Sequence, residues 1–256
     1  MKKSVFIFLS ILTFSTFSFS QNTLYQKKDF IFEGDTLKYR ILFPENYDKD
    51  KKYPLVIFLH GAGERGNDNE KQLVHGSWLF TNAENRAKYP AIVIFPQCPE
   101  NGYWAPVKDR ANGFSYEPAK EPTKSLLLVK KLINQYSKNE PVDKRRIYIL
   151  GLSMGGMGTY DMICRYPKTF AAAIPICGGV YTDRLKSVKK LPIRIYYGSA
   201  DPVVSPQHSK NAYKTLKTFG SHNVEIFEYP GVGHDSWNNA FKEPDFLSWL
   251  FAQRRK

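Results

Sequence analysis

A serine flanked by glycines follows an apolar run near the middle of the chain. The segment Gly151-Leu152-Ser153-Met154-Gly155 comes directly after Arg146-Ile147-Tyr148-Ile149-Leu150 and leads into a helix-like stretch. A sharp turn between strand and helix would expose the Ser153 hydroxyl, and the glycines leave room where a Cβ would clash. The helix would direct free N–H groups and a partial positive charge toward a developing oxyanion. This setting predicts that Ser153 is a nucleophile.

A serine nucleophile needs a base, and the chain has five histidines. His234 follows the apolar run 224–229 through Pro230-Gly231-Val232-Gly233, a loop with little need for a structural histidine. We therefore predict that His234 is the general base. His60 ends a predicted strand before the serine, and we expect it to hold loop backbone. The other three histidines lie in polar or helical segments and are interpreted as surface residues: His75, His208 and His222.

An acid that orients the base should lie between the serine and the histidine in the chain. Asp201 follows the run 193–197 within Gly198-Ser199-Ala200-Asp201-Pro202. Because it lies just beyond a predicted strand, Asp201 could direct its carboxylate at His234 and fix the imidazole tautomer. The structural alternative is a turn or cap before Pro202. Asp183 is the competing acid, but no strand end lies beside it, so we predict that Asp201 is the third member.

An oxyanion hole would combine two backbone N–H groups, those of Met154 and Ala62. The second belongs to Leu59-His60-Gly61-Ala62-Gly63, where the glycines allow the chain to turn tightly after the run 55–59. Glu64, next to this loop, could contact the substrate or brace its own loop. Trp104 lies in a loop after the run 91–95 and could line a substrate pocket or pack in the core. We predict that Glu64 and Trp104 contact the substrate.

Apolar runs alternate with helical patterns through the chain, which indicates a mostly parallel sheet with helices on both sides. The predicted strands are 37–43, 55–59, 91–95, 146–150, 171–176, 193–197 and 224–229, and the predicted helices are 124–136, 154–166 and 207–219. Ser205 is placed as the N-cap of the last helix, Pro206 at its first position and Gly220 just past its end.

The first twenty residues have the pattern of a secretory signal peptide. A basic start, Met1-Lys2-Lys3, precedes an apolar stretch over 5–14 and the small residues of Ser18-Phe19-Ser20, which predicts cleavage before Gln21. The apolar stretch is shorter than a membrane span requires. We therefore predict one catalytic domain over 21–256, exported to the periplasm or the medium, with no membrane span.

Composition excludes several other classes of protein. The net charge is +13, but the lysines are dispersed without an arginine-rich block, so we expect a solvated basic surface and no nucleic-acid partner. The three cysteines, Cys98, Cys164 and Cys177, have spacings that match no zinc or redox pattern, and buried thiols are favoured over a disulfide. We expect no cofactor, no metal and a monomer.

The order of Leu59-His60-Gly61-Ala62-Gly63-Glu64-Arg65-Gly66, Gly151 to Gly156, Asp201 and Gly233-His234 resembles the α/β-hydrolase superfamily. Within it, the chain is similar to secreted esterases related to feruloyl and acetylxylan esterases, polyhydroxybutyrate depolymerases and the catalytic domain of prolyl oligopeptidases. The resemblance implies an α/β fold with a mostly parallel eight-stranded sheet flanked by helices, in a single domain. It also implies a triad of Ser153, Asp201 and His234 that hydrolyses esters without a metal.

The expected activity is that of a secreted serine carboxylesterase acting through an acyl-enzyme on feruloyl or acetyl esters of plant polysaccharide. A peptidase or a polyester depolymerase is the alternative, although the chain lacks the β-propeller of prolyl oligopeptidases. A further alternative is a catalytically silent carbohydrate-binding protein on the same fold.

Overall fold

The computed structural model describes residues 23–109 and 113–256, and the predicted signal peptide lies outside the described residues. The strands in these ranges are β1 (Gln26–Phe32), β2 (Asp35–Leu42), β3 (Tyr53–Leu59), β4 (Ile92–Gln97), β5 (Val107–Lys108), β6 (Ser115–Tyr116), β7 (Val142–Leu152), β8 (Ala172–Ile176), β9 (Ile193–Gly198) and β10 (Val224–Tyr229). The α-helices are α1 (Trp78–Thr81), α2 (Ala83–Lys88), α3 (Lys124–Asn139), α4 (Met154–Arg165), α5 (Pro206–Thr218), α6 (Trp237–Ala240) and α7 (Phe246–Ala252). Short 3-10 helices cover Ala62–Glu64, Lys71–Leu73 and Thr182–Val188.

Eight of these strands form one sheet in the order β1-β2-β4-β3-β7-β8-β9-β10, and β5 pairs with β6 in a separate ribbon. The first two pairings, β1 with β2 and β2 with β4, are antiparallel. Every later pairing, from β4–β3 to β9–β10, is parallel. The carboxyl ends of β3, β7, β8, β9 and β10 therefore meet at one edge of the sheet, where the loops that follow them can build a site.

Both faces of the sheet are covered, which explains why its central strands are continuous apolar runs. In β3, Leu55, Ile57 and Leu59 belong to a core shared with α3, α4 and α5. The intervening residues Val56 and Phe58 belong to a second core, shared with α1, α6 and α7. All five side chains are fully buried. The predicted α/β fold, with a mostly parallel eight-stranded sheet between helices, is confirmed.

The caps predicted for the third helix are present in α5. The Ser205 hydroxyl accepts a hydrogen bond from the Gln207 N–H at 3.3 Å, and Pro206 opens the helix. Gly220 has a φ of +79°, the left-handed conformation that ends many helices. The sequence missed β1, β5, β6, α1, α2, α6 and α7. In the part of the chain that the structure describes, no helix is long and apolar enough to cross a membrane.

Candidate active site

Ser153 lies in a sharp turn between β7 and α4. Its backbone has φ 53° and ψ −117°, a strained conformation that the surrounding elements must hold in place. The Ser153 N–H donates to the Ile176 carbonyl at 2.9 Å, which ties the turn to β8. A Cβ on Gly155 would lie 1.9 Å from the Leu59 carbonyl oxygen, so only glycine lets α4 begin this close to β3. The motif glycine is thus explained by packing.

His234 lies in the loop after β10 and faces the serine. Its Nε2 is 2.8 Å from the Ser153 Oγ, and its Nδ1 is 2.8 Å from the Asp201 Oδ2. One ring nitrogen is therefore positioned to take the serine proton while the other donates to a carboxylate. The indole of Trp237 packs edge-on against the imidazole, with ring centroids 5.5 Å apart, and limits its rotation.

Asp201 lies after β9, with its side chain almost completely buried. Burial alone would raise the pKa of its carboxyl group. The hydrogen bonds that it accepts from His234 and from the Val204 and Val203 N–H groups, at 2.8–2.9 Å, outweigh that effect and lower the pKa. Asp201 is therefore an acceptor for His234 at neutral pH. The competing Asp183 is instead exposed in the segment Thr182–Val188 and accepts a hydrogen bond from the Tyr181 hydroxyl at 3.0 Å.

The loops that carry Asp201 and His234 are joined by hydrogen bonds from backbone N–H groups. The Ala200 N–H donates to the Val232 carbonyl at 3.0 Å, and the Gly231 N–H donates to the Ser199 hydroxyl at 2.8 Å. A Cβ on Gly198 would lie 2.2 Å from the Val232 carbonyl oxygen, so the close approach of the two loops requires glycine there. These contacts fix the position of the acid relative to the base.

The two predicted oxyanion donors begin helices. Met154 is the first residue of α4, and Ala62 is the first residue of the 3-10 helix Ala62–Glu64. An N–H at the first position of a helix has no acceptor within that helix and can bind an oxyanion. The Arg65 guanidinium braces the second loop by donating to the Ala62 carbonyl at 2.9 Å and to the Gly102 carbonyl at 3.4 Å.

His60 holds the backbone of the loop that contains Ala62, as its place in the sequence predicted. It is 1% exposed, its Nδ1 lies 2.6 Å from the Gly61 carbonyl, and its Nε2 accepts a hydrogen bond from the Cys98 N–H at 3.0 Å. This pairing requires the neutral tautomer with the proton on Nδ1. Burial is the main cause that lowers the pKa of His60 to about 4, from an ordinary value of 6.5.

The predicted substrate contact of Trp104 is wrong. Trp104 is 0% exposed, its indole N–H donates to the His60 carbonyl at 3.0 Å, and its ring packs against that imidazole at 5.2 Å. Its Cβ would also clash with any side chain at Gly158 of α4. Trp104 therefore supports the oxyanion loop from the core, which is the packing alternative.

We expect His60 to make stability depend on pH. The His60 imidazole binds a proton near pH 6.5 in the unfolded chain but only near pH 4 in the folded protein. The contribution of neutral His60 to the free energy of unfolding is therefore fully present above about pH 6.5 and is lost as the pH falls toward 4. The loss should reach about 3 kcal/mol. Urea unfolding between pH 7 and 4 would measure it. His60→Gln should have a flatter profile, and the exposed His222→Gln should keep the profile of the parent. Equal slopes in all three proteins would contradict this origin.

Glu64 lies at the rim of the site, beside Gly61. A Cβ on Gly61 would lie 3.0 Å from the Glu64 Oε2 and 3.7 Å from the Ser153 Cβ, so the carboxylate and the nucleophile flank the same point. The Glu64 side chain is 14% exposed and lies 3.6 Å from the His75 Nε2. The His75 ring contacts Trp237 with a centroid distance of 5.1 Å. His75 is thus part of the rim and not an ordinary surface residue, which no local pattern in the sequence indicated.

Cys177 directly follows β8, which places it close to the predicted triad. Its Sγ and ligand atoms of Asp201 and His234 lie within 4.8 Å of one another. Burial raises the pKa of the Cys177 thiol to about 12, and a metal binds the thiolate. The carboxylate and the imidazole are already hydrogen-bonded to each other. Because the thiol stays protonated and the other two groups bind each other, Cys177, Asp201 and His234 are poorly suited to hold a metal ion. All three cysteines are buried thiols outside any disulfide, as predicted.

The fold and the site define an α/β hydrolase with a serine, a histidine and an aspartate at the carboxyl edge of its sheet. The family model for phospholipases and carboxylesterases matches residues 46–248, and the chain belongs to that family. It is accordingly a hydrolase of the carboxylic-ester class.

Individual relatives agree with this assignment. The chain is similar to carboxylesterase SOBER1 of Arabidopsis thaliana, with 26% identity over 215 residues, which are 76% of this chain and 88% of that protein. Among solved structures, a thermostable esterase superposes with a TM-score of 0.85 at 36% sequence identity. The superposition covers 92% of this chain and 64% of the esterase chain. A ferulic acid esterase from Anaeromyces mucronatus has the same fold, with a TM-score of 0.66 at 17% identity and 90% coverage of both chains.

Proposed function

We propose that the protein is a secreted serine esterase that removes feruloyl or acetyl groups from plant polysaccharide. The observation that carries the proposal is the continuous hydrogen-bonded line from the Ser153 Oγ through His234 to Asp201. Relatives support the substrate class. Probable feruloyl esterase C of Aspergillus flavus is 27% identical over 169 residues, and a bifunctional acetylxylan esterase/xylanase of Neocallimastix patriciarum is 30% identical over 95 residues.

In the proposed mechanism, the Ser153 Oγ attacks the ester carbonyl as its proton passes to the His234 Nε2. Asp201 stabilises the resulting imidazolium through Nδ1. The N–H groups of Met154 and Ala62 bind the oxyanion, and each donor contributes about 3 kcal/mol in the transition state. His234 then protonates the departing alkoxide, which leaves an acyl group on Ser153. A water molecule then gives a proton to His234 and attacks the acyl carbonyl. His234 returns that proton to the Ser153 Oγ as the bond between the acyl carbon and Oγ breaks, which releases the acid and restores the serine hydroxyl.

Export and a monomeric state are part of the proposal. Residues 1–20 carry a basic start, a short apolar stretch and small residues before Gln21, the pattern of a cleaved secretory signal. Ser153, Asp201 and His234 all belong to one chain and are hydrogen-bonded within it, so the site is complete without a second subunit.

A polyester depolymerase is the second candidate. The observation that favours it is a similarity to poly(3-hydroxyalkanoate) depolymerase C of Paucimonas lemoignei, with 40% identity over 127 residues, which are 38% of this chain. The chemistry of ester cleavage would be the same, and the difference would lie in the acyl and alcohol groups that the rim accepts.

A substrate panel tests the proposal. The purified protein would be assayed on p-nitrophenyl acetate, butyrate and octanoate, methyl ferulate, acetylated xylan, short hydroxybutyrate oligomers and a proline-containing peptide chromogen. We expect the highest kcat/KM on methyl ferulate or acetylated xylan, and no effect of EDTA. Preference for hydroxybutyrate oligomers would select the second candidate. Inactivity on all esters would favour a silent binding protein, and inactivation by EDTA that a divalent ion reverses would contradict the metal-free mechanism.

A further inference from the structure

Basic side chains that are far apart in the sequence meet at the edge of the sheet opposite the active site. A groove of about 760 Å³ lies where β3, β4 and β7 begin, and a second groove of about 360 Å³ adjoins it. The cationic residues that line the two grooves come from four segments: 51–52, 88, 144–146 and 254. Lys52 lines both grooves, so the two form one extended depression, here called the basic face.

The positive charge of the basic face is largely uncompensated by its own lining. Among the described residues that line the two grooves, the one acid is Asp143, against seven lysines and arginines. The Asp143 carboxylate pairs with Arg146 at 3.0 Å and with Arg254 at 3.1 Å. The other five cations are all exposed, including Lys52, Lys88 and Arg145. An extended concave surface of one sign attracts a polymer of the opposite sign.

From this geometry we infer that the basic face binds an acidic polysaccharide, a chain of sugars with regularly spaced carboxylates. Lysine and arginine side chains form charge-assisted hydrogen bonds with carboxylates, and arginine can do so with two N–H groups at once. The continuity of the two grooves through Lys52 suits an extended chain rather than a single small anion. The partner would bind at the opposite edge of the sheet from Ser153, so it need not be the ester that the enzyme cleaves.

The aromatic residues of the basic face argue against a single-stranded nucleic acid. Such ligands stack their bases on open aromatic faces. Here one face of the Tyr89 ring is stacked on Phe251, with centroids 4.9 Å apart and planes at 11°. The Lys88 Nζ also lies over the Tyr89 ring, 5.5 Å from its centroid. The Tyr53 side chain is buried. The aromatic side chains that line the two grooves are thus packed on one another or buried, which makes them poor platforms for bases, whereas carboxylates need only the cations.

The shape and composition of the basic face also argue against a membrane. A protein that binds an anionic bilayer through one face inserts protruding apolar side chains beside its basic residues. In the described part of the chain, the large hydrophobic residues with high exposure are Leu24, Ile31, Val74, Trp78 and Val203, and none of them lines either groove. The basic face is concave and lined by cations, so it presents no apolar side chain of this kind to a bilayer.

Two triple variants with the same change in net charge test the inference. The first reverses charge on the basic face, with Lys52→Glu, Lys88→Glu and Arg145→Glu. The matched control reverses three exposed lysines elsewhere, with Lys189→Glu, Lys190→Glu and Lys217→Glu. Binding to polygalacturonate, neutral xylan, random-sequence duplex DNA and phosphatidylglycerol vesicles would be measured at a fixed salt concentration. Hydrolysis of p-nitrophenyl acetate would verify that each variant is folded and active.

We expect the parent protein to bind polygalacturonate and not neutral xylan, with an affinity that falls as salt is added. The variant of the basic face should lose at least about tenfold in affinity, the control less than about threefold, and both should keep esterase activity. Equal losses in the two variants would overturn the inference in favour of a diffuse charge effect. Tighter binding to DNA or to vesicles than to polygalacturonate would show that the class of partner is wrong.

Discussion

Replacement of Ser153 by alanine is expected to lower ester hydrolysis at least about a thousandfold while the protein remains folded. The hydroxyl is the group that would bond to the acyl carbon, and its Oγ lies 2.8 Å from the His234 Nε2 that would take its proton. Alanine keeps the Cβ that the turn already accommodates at φ 53°, so the strand–turn–helix geometry should persist. Initial rates on p-nitrophenyl acetate, together with thermal unfolding, would measure both effects.

Ser187→Ala is a suitable control for this experiment. Ser187 is exposed in the segment Thr182–Val188, and its hydroxyl donates to the Arg184 carbonyl. We expect this variant to retain nearly full activity. If a pure and folded Ser153→Ala protein kept substantial esterase activity, Ser153 would not be the nucleophile, whatever the geometry around it.

Replacement of Asp201 by asparagine should lower kcat by up to about ten-thousandfold. Its Oδ1 accepts hydrogen bonds from the Val203 and Val204 N–H groups, and asparagine can keep both through its carbonyl oxygen. The amide NH₂ would then face the His234 Nδ1, where the carboxylate now accepts. That contact favours the tautomer with the proton on Nε2, which cannot accept a proton from Ser153. The fold should be preserved, because the backbone contacts survive.

Asp183→Asn is the matched control, because Asp183 is the other acid that the chain order allows. Its carboxylate is bound by the Tyr181 hydroxyl at the surface. We expect a change in stability within about 0.5 kcal/mol and nearly full activity. Steady-state kinetics and urea unfolding of the two variants would be compared. The reverse pattern, an inactive Asp183→Asn and an active Asp201→Asn, would mean that the acid has been misassigned even if Ser153 and His234 stand.

The sequence was informative about the predicted triad because each of its members lies within five residues of the end of a strand. Ser153, Asp201 and His234 come after β7, β9 and β10, and parallel strands bring their carboxyl ends to the same edge. Chain order and loop composition were then enough to predict three residues that the structure brings into hydrogen-bond contact. The strand ends and the loop composition lie within short segments of the sequence and can be recognised without knowledge of the fold.

Other features depend on contacts between distant segments. The loop with Trp104 follows a strand as expected, but the sequence does not say which side chains of the loop turn inward, and this indole packs under His60. The rim formed by Glu64, His75 and Trp237 joins three separate segments of the chain. The basic face draws its charges from four segments whose lysines and arginines look dispersed along the chain. β1 was missed because its side chains are mostly exposed, so it lacks an apolar run.

The members of the triad differ in how well the sheet anchors them. Ser153 directly follows β7, an interior strand that is paired on both sides. His234 lies in the loop after β10, the last strand of the sheet, which pairs only with β9. A strand at the edge of a sheet can open locally, and this opening costs less free energy than global unfolding. Local opening of β10 would therefore displace His234 while Ser153 keeps its place. We expect catalytic competence to be lost at a lower temperature than the folded state.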